Sequence, residues 1–333
     1  MKLKNIVFVT AVMVVAIICI GIMNIRFDRL SRYPYEDEQA RAIIKETFSD
    51  EDIEYLIEYS IAPSTFLRYV PYEGFSVYHA EAYNTIRDRV WYLTDEEVVK
   101  IVELSLSSIS MDQLAEYLIN YDGVTVFHYF EHKDQYIKDS ILISNPHEIN
   151  AYVDNTHTVS TRILFDTAEC TMIPSAEGKT IVMAKAAAEP LKSMCEAITS
   201  DFGDTSPCGG LVGVEGYIDY EAQKQLYEAA MKQYGDEAIN ICDYPGHSEH
   251  QLGMAIDFMT ENHRAEDFEK SEQYKWLKEN AYRFGFVETY TKEYEDLNEK
   301  TARPWHWRYV GHELAAQMHF NSQSLKEAIL WQE

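Results

Sequence analysis

An almost unbroken apolar run from Ile6 to Met23, preceded by Lys2 and Lys4 and closed by Asn24 and Arg26, constrains this chain most. A helix rises about 1.5 Å per residue, so the run is just long enough for a bilayer core of roughly 30 Å. Core helices of soluble domains seldom open a chain behind a lysine pair. A cleaved signal is the nearer rival, but the run is long for one and no A-x-A site follows it. The run therefore reads as an uncleaved membrane anchor. Arg26, Arg29 and Arg32 balance the positive amino-terminal side, so charge does not set its orientation. No later segment is apolar enough to span, which leaves one body on one side.

That body has the material for a core, with 46% hydrophobic residues and 24 Tyr in the chain, so general disorder is excluded. Lys and Arg total 29 against 55 Asp and Glu, a formal charge of −26, which excludes nucleic acid as a partner. Cys19 lies in the anchor. Cys170, Cys195, Cys208 and Cys242 lie beyond it, an even number that permits disulfides without naming a pair, Cys208 with Cys242 included.

Two textures follow the anchor and flank (1–32). Residues 33–150 form a mainly helical accessory region, in which Ser49-Asp50-Glu51-Asp52, Thr94-Asp95-Glu96-Glu97 and Ser110-Met111-Asp112-Gln113 each open an apolar helical pattern with a capping signal. Val124 to His128 alternates like a strand. His128 and His132 would suit a metal on a helix, but the stretch reads as extended. The remaining region, 151–333, mixes helix and strand, and the boundary falls loosely within 122–175. Helices are expected over 184–198 (with Pro190 inside), 220–234, 271–284 and 313–331, and strands over 211–214, 254–258 and 305–310. Gly235 is placed as a left-handed helix stop. The fold class is α+β, a small antiparallel sheet with flanking helices.

Two segments carry chemistry. In Gly246-His247-Ser248-Glu249-His250-Gln251-Leu252-Gly253-Met254-Ala255-Ile256-Asp257, Gly253 lets the backbone turn so that His250 folds back toward Asp257. In Trp305-His306-Trp307-Arg308-Tyr309, alternation buries the aromatic residues and turns His306 and Arg308 the other way. His250, Asp257 and His306 make a fair ligand set for one Zn²⁺ ion with an open fourth position. Spacing alone does not single them out, since an isolated buried His is more often structural. The other nine His read as surface or structural.

The combined pattern, Ser248-Glu249-His250-Gln251-x-Gly253-x-Ala255-x-Asp257 with Trp305-His306-x-Arg308-Tyr309-Val310-Gly311, resembles the VanY-type D-alanyl-D-alanine carboxypeptidases. Gly216-Tyr217, Tyr220-x-x-Gln223-x-x-x-Tyr227 and Trp276-Leu277-x-x-Asn280-Ala281-x-x-x-Gly285-Phe286 support it, from about Lys179 onward. The resemblance implies a zinc D,D-carboxypeptidase held by His250, Asp257 and His306, removing the terminal D-Ala of peptidoglycan stem peptides. It also implies an extracellular body on a single-pass anchor, with Gln223 and Ser248 toward substrate. Against the family pattern, Arg303 stands where a Glu acts as general base, and Ile218-Asp219 where an Arg and a Ser bind the substrate carboxylate. Arginine accepts no proton in the working range. One reading has Arg303 taking the carboxylate and Asp219, Glu249 or Glu299 the proton. The other is a catalytically inactive, membrane-tethered binder of wall peptides or a regulatory partner. A coupled Asp219–Arg303 ion pair is a further expectation of these changes.

Overall fold

The computed structural model describes residues 3–132, 134–161, 163, 165–203 and 206–330. Lys2 and Trp331, expected at the edges of the first and last helices, lie outside the described residues. The chain divides into two compact units between Ala115 and Glu116, earlier than the boundary at 150 expected from texture.

In the first unit, α1 (Leu3–Phe27) carries the stretch Ile6–Met23, exposed throughout and apolar enough to cross a membrane, a property that an N-terminal signal sequence shares. Five short helices follow: α2 (Glu38–Thr47), α3 (Asp50–Glu58), α4 (Pro63–Phe66), α5 (Ala80–Arg89) and α6 (Asp95–Ser105). Ser49 and Asp52 close a reciprocal capping box on α3, as Thr94 and Glu97 do on α6. The short helices bury Ile44, Leu56, Phe66 and Ala80 together. α7 (Met111–Asn120), opened by the Ser110–Gln113 pair, carries the division.

The second unit begins with a difference from the sequence expectation. Residues 123–130 are helical (α8, Gly123–Phe130), because the Asp122 carboxylate accepts from the Thr125 amide. The apparent alternation conceals an i, i+4 pair, Val126 and Phe130, which are buried while Val124 is 79% exposed. His132 lies past the helix end at a φ of 50°, off the face that carries His128. Tyr117 and Tyr121 donate to the carbonyls of Leu142 and Ile143 at 2.7 and 2.8 Å, tying 116–150 into this unit. Strands β1 (Ile141–Leu142) and β2 (His157–Thr158) pair in parallel, and β3 (Thr167–Glu169) pairs with β4 (Val182–Ala184) antiparallel.

The central sheet is antiparallel in the order β5-β6-β8-β7, with β5 (Leu211–Glu215), β6 (Ala255–Thr260), β7 (Phe286–Glu288) and β8 (His306–Tyr309). All four residues of β8 are buried, while Trp305 sits before the strand and is only half-buried, so the expected alternation is cut at its first residue. Helix α9 (Lys185–Phe202) runs unbroken through Pro190, which falls in its second turn and removes a single ladder bond. α10 (Tyr220–Tyr234) stops at Gly235, whose φ of 58° and ψ of −133° belong to a conformation open to glycine rather than to the left-handed helical cap. α11 (Ala238–Ile241), α12 (Glu272–Asn280), α13 (Glu295–Asn298), α14 (His312–Asn321) and α15 (Leu325–Leu330) complete the unit.

Cys195 on α9 bonds to Cys208 in the turn before β5, leaving Cys170 and Cys242 free. The crosslink pins a turn whose backbone is unusual, with positive φ at both Cys208 and Gly209. Closing a loop of this size removes unfolded-state entropy worth about 3 kcal/mol. The paired Cys195→Ala/Cys208→Ala variant should melt several degrees lower than the native chain, and reductant should lower only the native Tm. Identical melting of the two proteins would contradict a stabilising role.

Candidate metal centre

The β-sheet places the site. In the β6–β8 register Asp257 lies opposite His306, so both side chains project from one face. His250 arrives from the single turn Glu249–Leu252, which ends at Gly253 with a φ of 69°. A Cβ at Gly253 would stand 2.5 Å from the Phe165 ring, so glycine is required both for the turn and for the close approach. Three ligand atoms meet there within 4.8 Å of one another. His250 Nε2 is 3.2 Å and His306 Nδ1 2.8 Å from Asp257 Oδ1.

The outward nitrogen of each imidazole is also fixed. His250 Nδ1 donates to the Gly216 carbonyl at 2.7 Å. His306 Nε2 donates to Glu249 Oε2 at 2.9 Å. These contacts leave His250 Nε2 and His306 Nδ1 facing Asp257, the tautomer and orientation that a metal ligand needs. Behind Glu249 lies Arg308, fully buried, with Nη1 at 3.4 Å from Glu249 Oε1 and Nη2 donating to the Ala151 carbonyl at 2.7 Å. Burial alone would raise the Asp257 carboxyl, but His250 and His306 outweigh it and hold it well below the usual range. Burial disfavours charge on His306, yet its bonds to Asp257 and Glu249 push the imidazole up to about 9. A divalent cation would take the place of the proton that His306 Nδ1 shares with Asp257. The residues fit a metal on these grounds.

The other expected site residues fall in different places. Ser248 is buried beside Glu249. Gln223 is buried and donates its amide to the Asp243 carbonyl at 2.8 Å, so it braces the approach to His250. Asp219 is exposed and caps α10 by accepting from the Ala222 amide. Glu299 is exposed at the end of α13. Glu249 touches the ligands, but from the far side of His306. Arg303 is buried and donates through Nη1 to Asp243 Oδ1 at 3.0 Å, which Lys300 also meets at 2.6 Å. The ion pair expected between Asp219 and Arg303 therefore has a different acid. Asp219 is occupied as an exposed helix cap, whereas Asp243 is buried where the guanidinium lies.

Two acids escaped sequence reasoning. Asp243 is one; nothing local in Cys242-Asp243-Tyr244 marks it as the partner of residues nearly sixty positions away. Glu215 is the other. A β-bulge after Gly213 shifts the register so that Glu215, rather than Val214, pairs with Asp257. Glu215, Asp257 and His306 thus form one row across β5, β6 and β8. Burial, aided by Asp257, raises the Glu215 carboxyl above its ordinary range against the pull of His250 and Lys179.

The sheet of this mixed α+β unit brings His250, Asp257 and His306 together as a group that could hold a metal ion. Residues 180–312 match the family model described as VanY: D-alanyl-D-alanine carboxypeptidase. The YodJ protein of Bacillus subtilis (strain 168) is 35% identical over 150 residues, 43% of this chain and 52% of its own length. A D-alanyl-D-alanine carboxypeptidase of Enterococcus faecalis (strain ATCC 700802 / V583) is 31% identical over 139 residues, 38% of this chain and 51% of that protein. The chain spans about half the length of these curated relatives. Among solved structures, the LdcB LD-carboxypeptidase, described for its peptidoglycan recognition, superposes with a TM-score of 0.51 at 29% identity, over 57% of this chain and 89% of that one. The C-terminal part of this chain is thus VanY-like.

The Asp243 cluster yields a direct test. Burial opposes the Asp243 charge, but Arg303 and Lys300 hold its carboxyl far below the usual range. Its contribution to stability is present above the unfolded pKa near ~4 and is lost as pH falls through the folded value. Asp243→Ala leaves two buried cations unpaired and should cost about 3–5 kcal/mol. Arg303→Glu sets a carboxylate against Asp243 and should destabilise similarly, whereas Arg303→Glu in an Asp243→Ala background should recover part of the loss. A double-mutant cycle by denaturant unfolding reads the coupling; strictly additive losses would contradict the pairing.

Proposed function

We propose that the second unit is a zinc-dependent carboxypeptidase acting on peptidoglycan stem peptides, tethered through α1 with its body outside the membrane. The convergence of His250 Nε2, Asp257 Oδ1 and His306 Nδ1, with both outer imidazole nitrogens already engaged, carries this reading. Two imidazoles and one carboxylate suit zinc in number and type and leave a position for substrate or water. When bound, zinc supplies Lewis-acid polarisation of the scissile carbonyl and of the attacking water. The likeness to the Enterococcus faecalis carboxypeptidase and to LdcB supports a wall-peptide substrate.

This chain's own residues supply the rest. Glu249 and Arg308 orient His306 and act only through it. Glu215, in the row with Asp257 and His306, is placed to take the proton of the attacking water and return it to the departing amine, and its raised pKa suits that exchange. Lys300 and Arg303 together oppose Asp243, so the cluster carries one surplus positive charge, and Arg303 Nε is buried without a partner. A terminal substrate carboxylate would satisfy both. The second reading, a tethered binder without catalysis, draws on Arg303, which occupies the position where the family pattern has its proton acceptor.

The assay incubates the zinc-loaded full chain in detergent with muramyl pentapeptide and, separately, muramyl tetrapeptide, and follows the products by mass spectrometry. Loss of one alanine from the pentapeptide is expected, and should disappear in His306→Ala. Loss from the tetrapeptide alone would assign L,D- instead of D,D-specificity. No loss from either would leave the binder. Glu215→Gln should lower kcat about 10²–10⁴-fold with zinc content unchanged; full activity in that variant would remove Glu215 from the proton step.

A further inference from the structure

Outside the candidate metal centre, the second unit holds another buried histidine with three fixed polar neighbours. This is His247, three residues before His250. Its Nδ1 lies 2.7 Å from the Asp154 carbonyl, while its Nε2 lies 3.2 Å from Ser140 Oγ and 3.1 Å from the Tyr136 carbonyl. Burial outweighs the pull of the two carbonyls and sets the imidazole below its ordinary pKa, so near neutral pH the ring carries one proton. The shorter carbonyl contact assigns that proton to Nδ1. Nε2 is then an acceptor, and of its two neighbours only the Ser140 hydroxyl has a hydrogen to give. A serine bonded to a base that is itself oriented from behind is the relation that activates a serine nucleophile.

Both partners are held by the chain around them. The Ser140 amide donates to the Ile137 carbonyl at 3.1 Å, and the Ser140 carbonyl accepts from the Tyr129 hydroxyl at 2.7 Å. The His247 amide donates to the Tyr244 carbonyl at 3.0 Å, and the Gly246 carbonyl accepts from the Val159 amide and from Thr158 Oγ1, each at 2.9 Å. The hydroxyl and the base are therefore in place before any substrate arrives. Ser140 is half-buried and lines a groove of about 810 Å³, so a reacting group has a way in. Once Nε2 takes a proton, it can donate to the Tyr136 carbonyl while Nδ1 still donates to Asp154. The two carbonyls thus favour the imidazolium of the transition state over the neutral ring. The charged groups that bear on the ring, Lys300 and Asp243, oppose one another. Carbonyls hold an imidazolium less firmly than a carboxylate does, which suits an ester, with its better leaving group, over an amide.

We propose that Ser140 and His247 form a serine esterase dyad, independent of the candidate metal centre, that hydrolyses carboxylic esters entering this groove. Ser140 Oγ adds to the ester carbonyl carbon and passes its proton to His247 Nε2. The bond to the alcohol oxygen breaks as Nε2 returns that proton to it, leaving an acyl-serine. Water then adds to the acyl carbon and gives a proton to Nε2, and Ser140 departs with that proton as the carboxylic acid is released.

The test treats the full chain in nanodiscs, stripped of metal by a chelator, with an alkyl fluorophosphonate and, separately, with 4-nitrophenyl acetate. The chelator separates this proposal from the carboxypeptidase reading. Peptide mass spectrometry should find the fluorophosphonate on Ser140, and the native chain should hydrolyse the ester. Ser140→Ala should lower that hydrolysis about 100-fold or more, with thermal melting as the check on folding. The labelling rate of the native chain should hold from neutral pH down past 6.5, the ordinary imidazole value, and fall below it as His247 gains its second proton. An unlabelled Ser140, hydrolysis by a folded Ser140→Ala variant as fast as by the native chain, or a labelling rate that climbs steadily with pH through neutrality, as direct hydroxide chemistry would, would overturn the proposal.

Discussion

Everything in the candidate metal centre depends on how His306 is held. Its ring stands between two carboxylates, Asp257 at 2.8 Å from Nδ1 and Glu249 at 2.9 Å from Nε2. One of these faces the ligand cluster and the other turns away from it. The outer contact is itself secured, because Arg308 is buried against Glu249 and bonded to the Ala151 carbonyl. Taking Glu249 into the interior would carry a large desolvation penalty by itself. With Arg308 on one side and His306 on the other, burial fixes the ring instead of opposing it. The sheet register then does the remaining work by setting Asp257 opposite His306.

The second buried charge group answers a different problem. Arg303, three residues before His306, adds positive charge near the candidate metal centre. Asp243 moderates that charge, and Lys300 restores a positive surplus at the same carboxylate. The Tyr290 ring lies 5.1 Å from Arg303 and 5.2 Å from His306, so one aromatic ring packs against both the guanidinium and the imidazole. Arg303 is consequently part of a built cluster, not an isolated replacement in an otherwise intact site. Reverting that single residue would leave its partners mismatched.

How much of this was legible in the sequence varied with the range of the interaction. Capping boxes at Ser49, Thr94 and Ser110 were readable because their partners lie three residues on. The convergence of His250, Asp257 and His306 was expected from Gly253, strand alternation and the family resemblance together, since spacing alone did not single them out. Residues 123–130 misled because two valines two apart imitate a strand, while the Asp122 cap and the Val126–Phe130 stripe decide for helix. Glu215 was hidden by a bulge, which alters the partner of one residue without any mark in composition. Asp243 and the Cys195–Cys208 bond were hidden because each depends on where distant segments fold. The outer partners of the metal ligands, Gly216 and Glu249 above all, likewise follow from tertiary placement.

On the reading proposed above, His250, Asp257 and His306 form one metal-binding centre whose imidazoles are aligned by Gly216 and Glu249. X-ray absorption at the zinc edge, on the full chain reconstituted with one equivalent of zinc, measures this most directly. One bound ion with two imidazole nitrogens and carboxylate oxygen as its nearest neighbours is expected, with loss of one nitrogen in His250→Ala. A shell without two imidazoles, or a spectrum unchanged by that substitution, would contradict it.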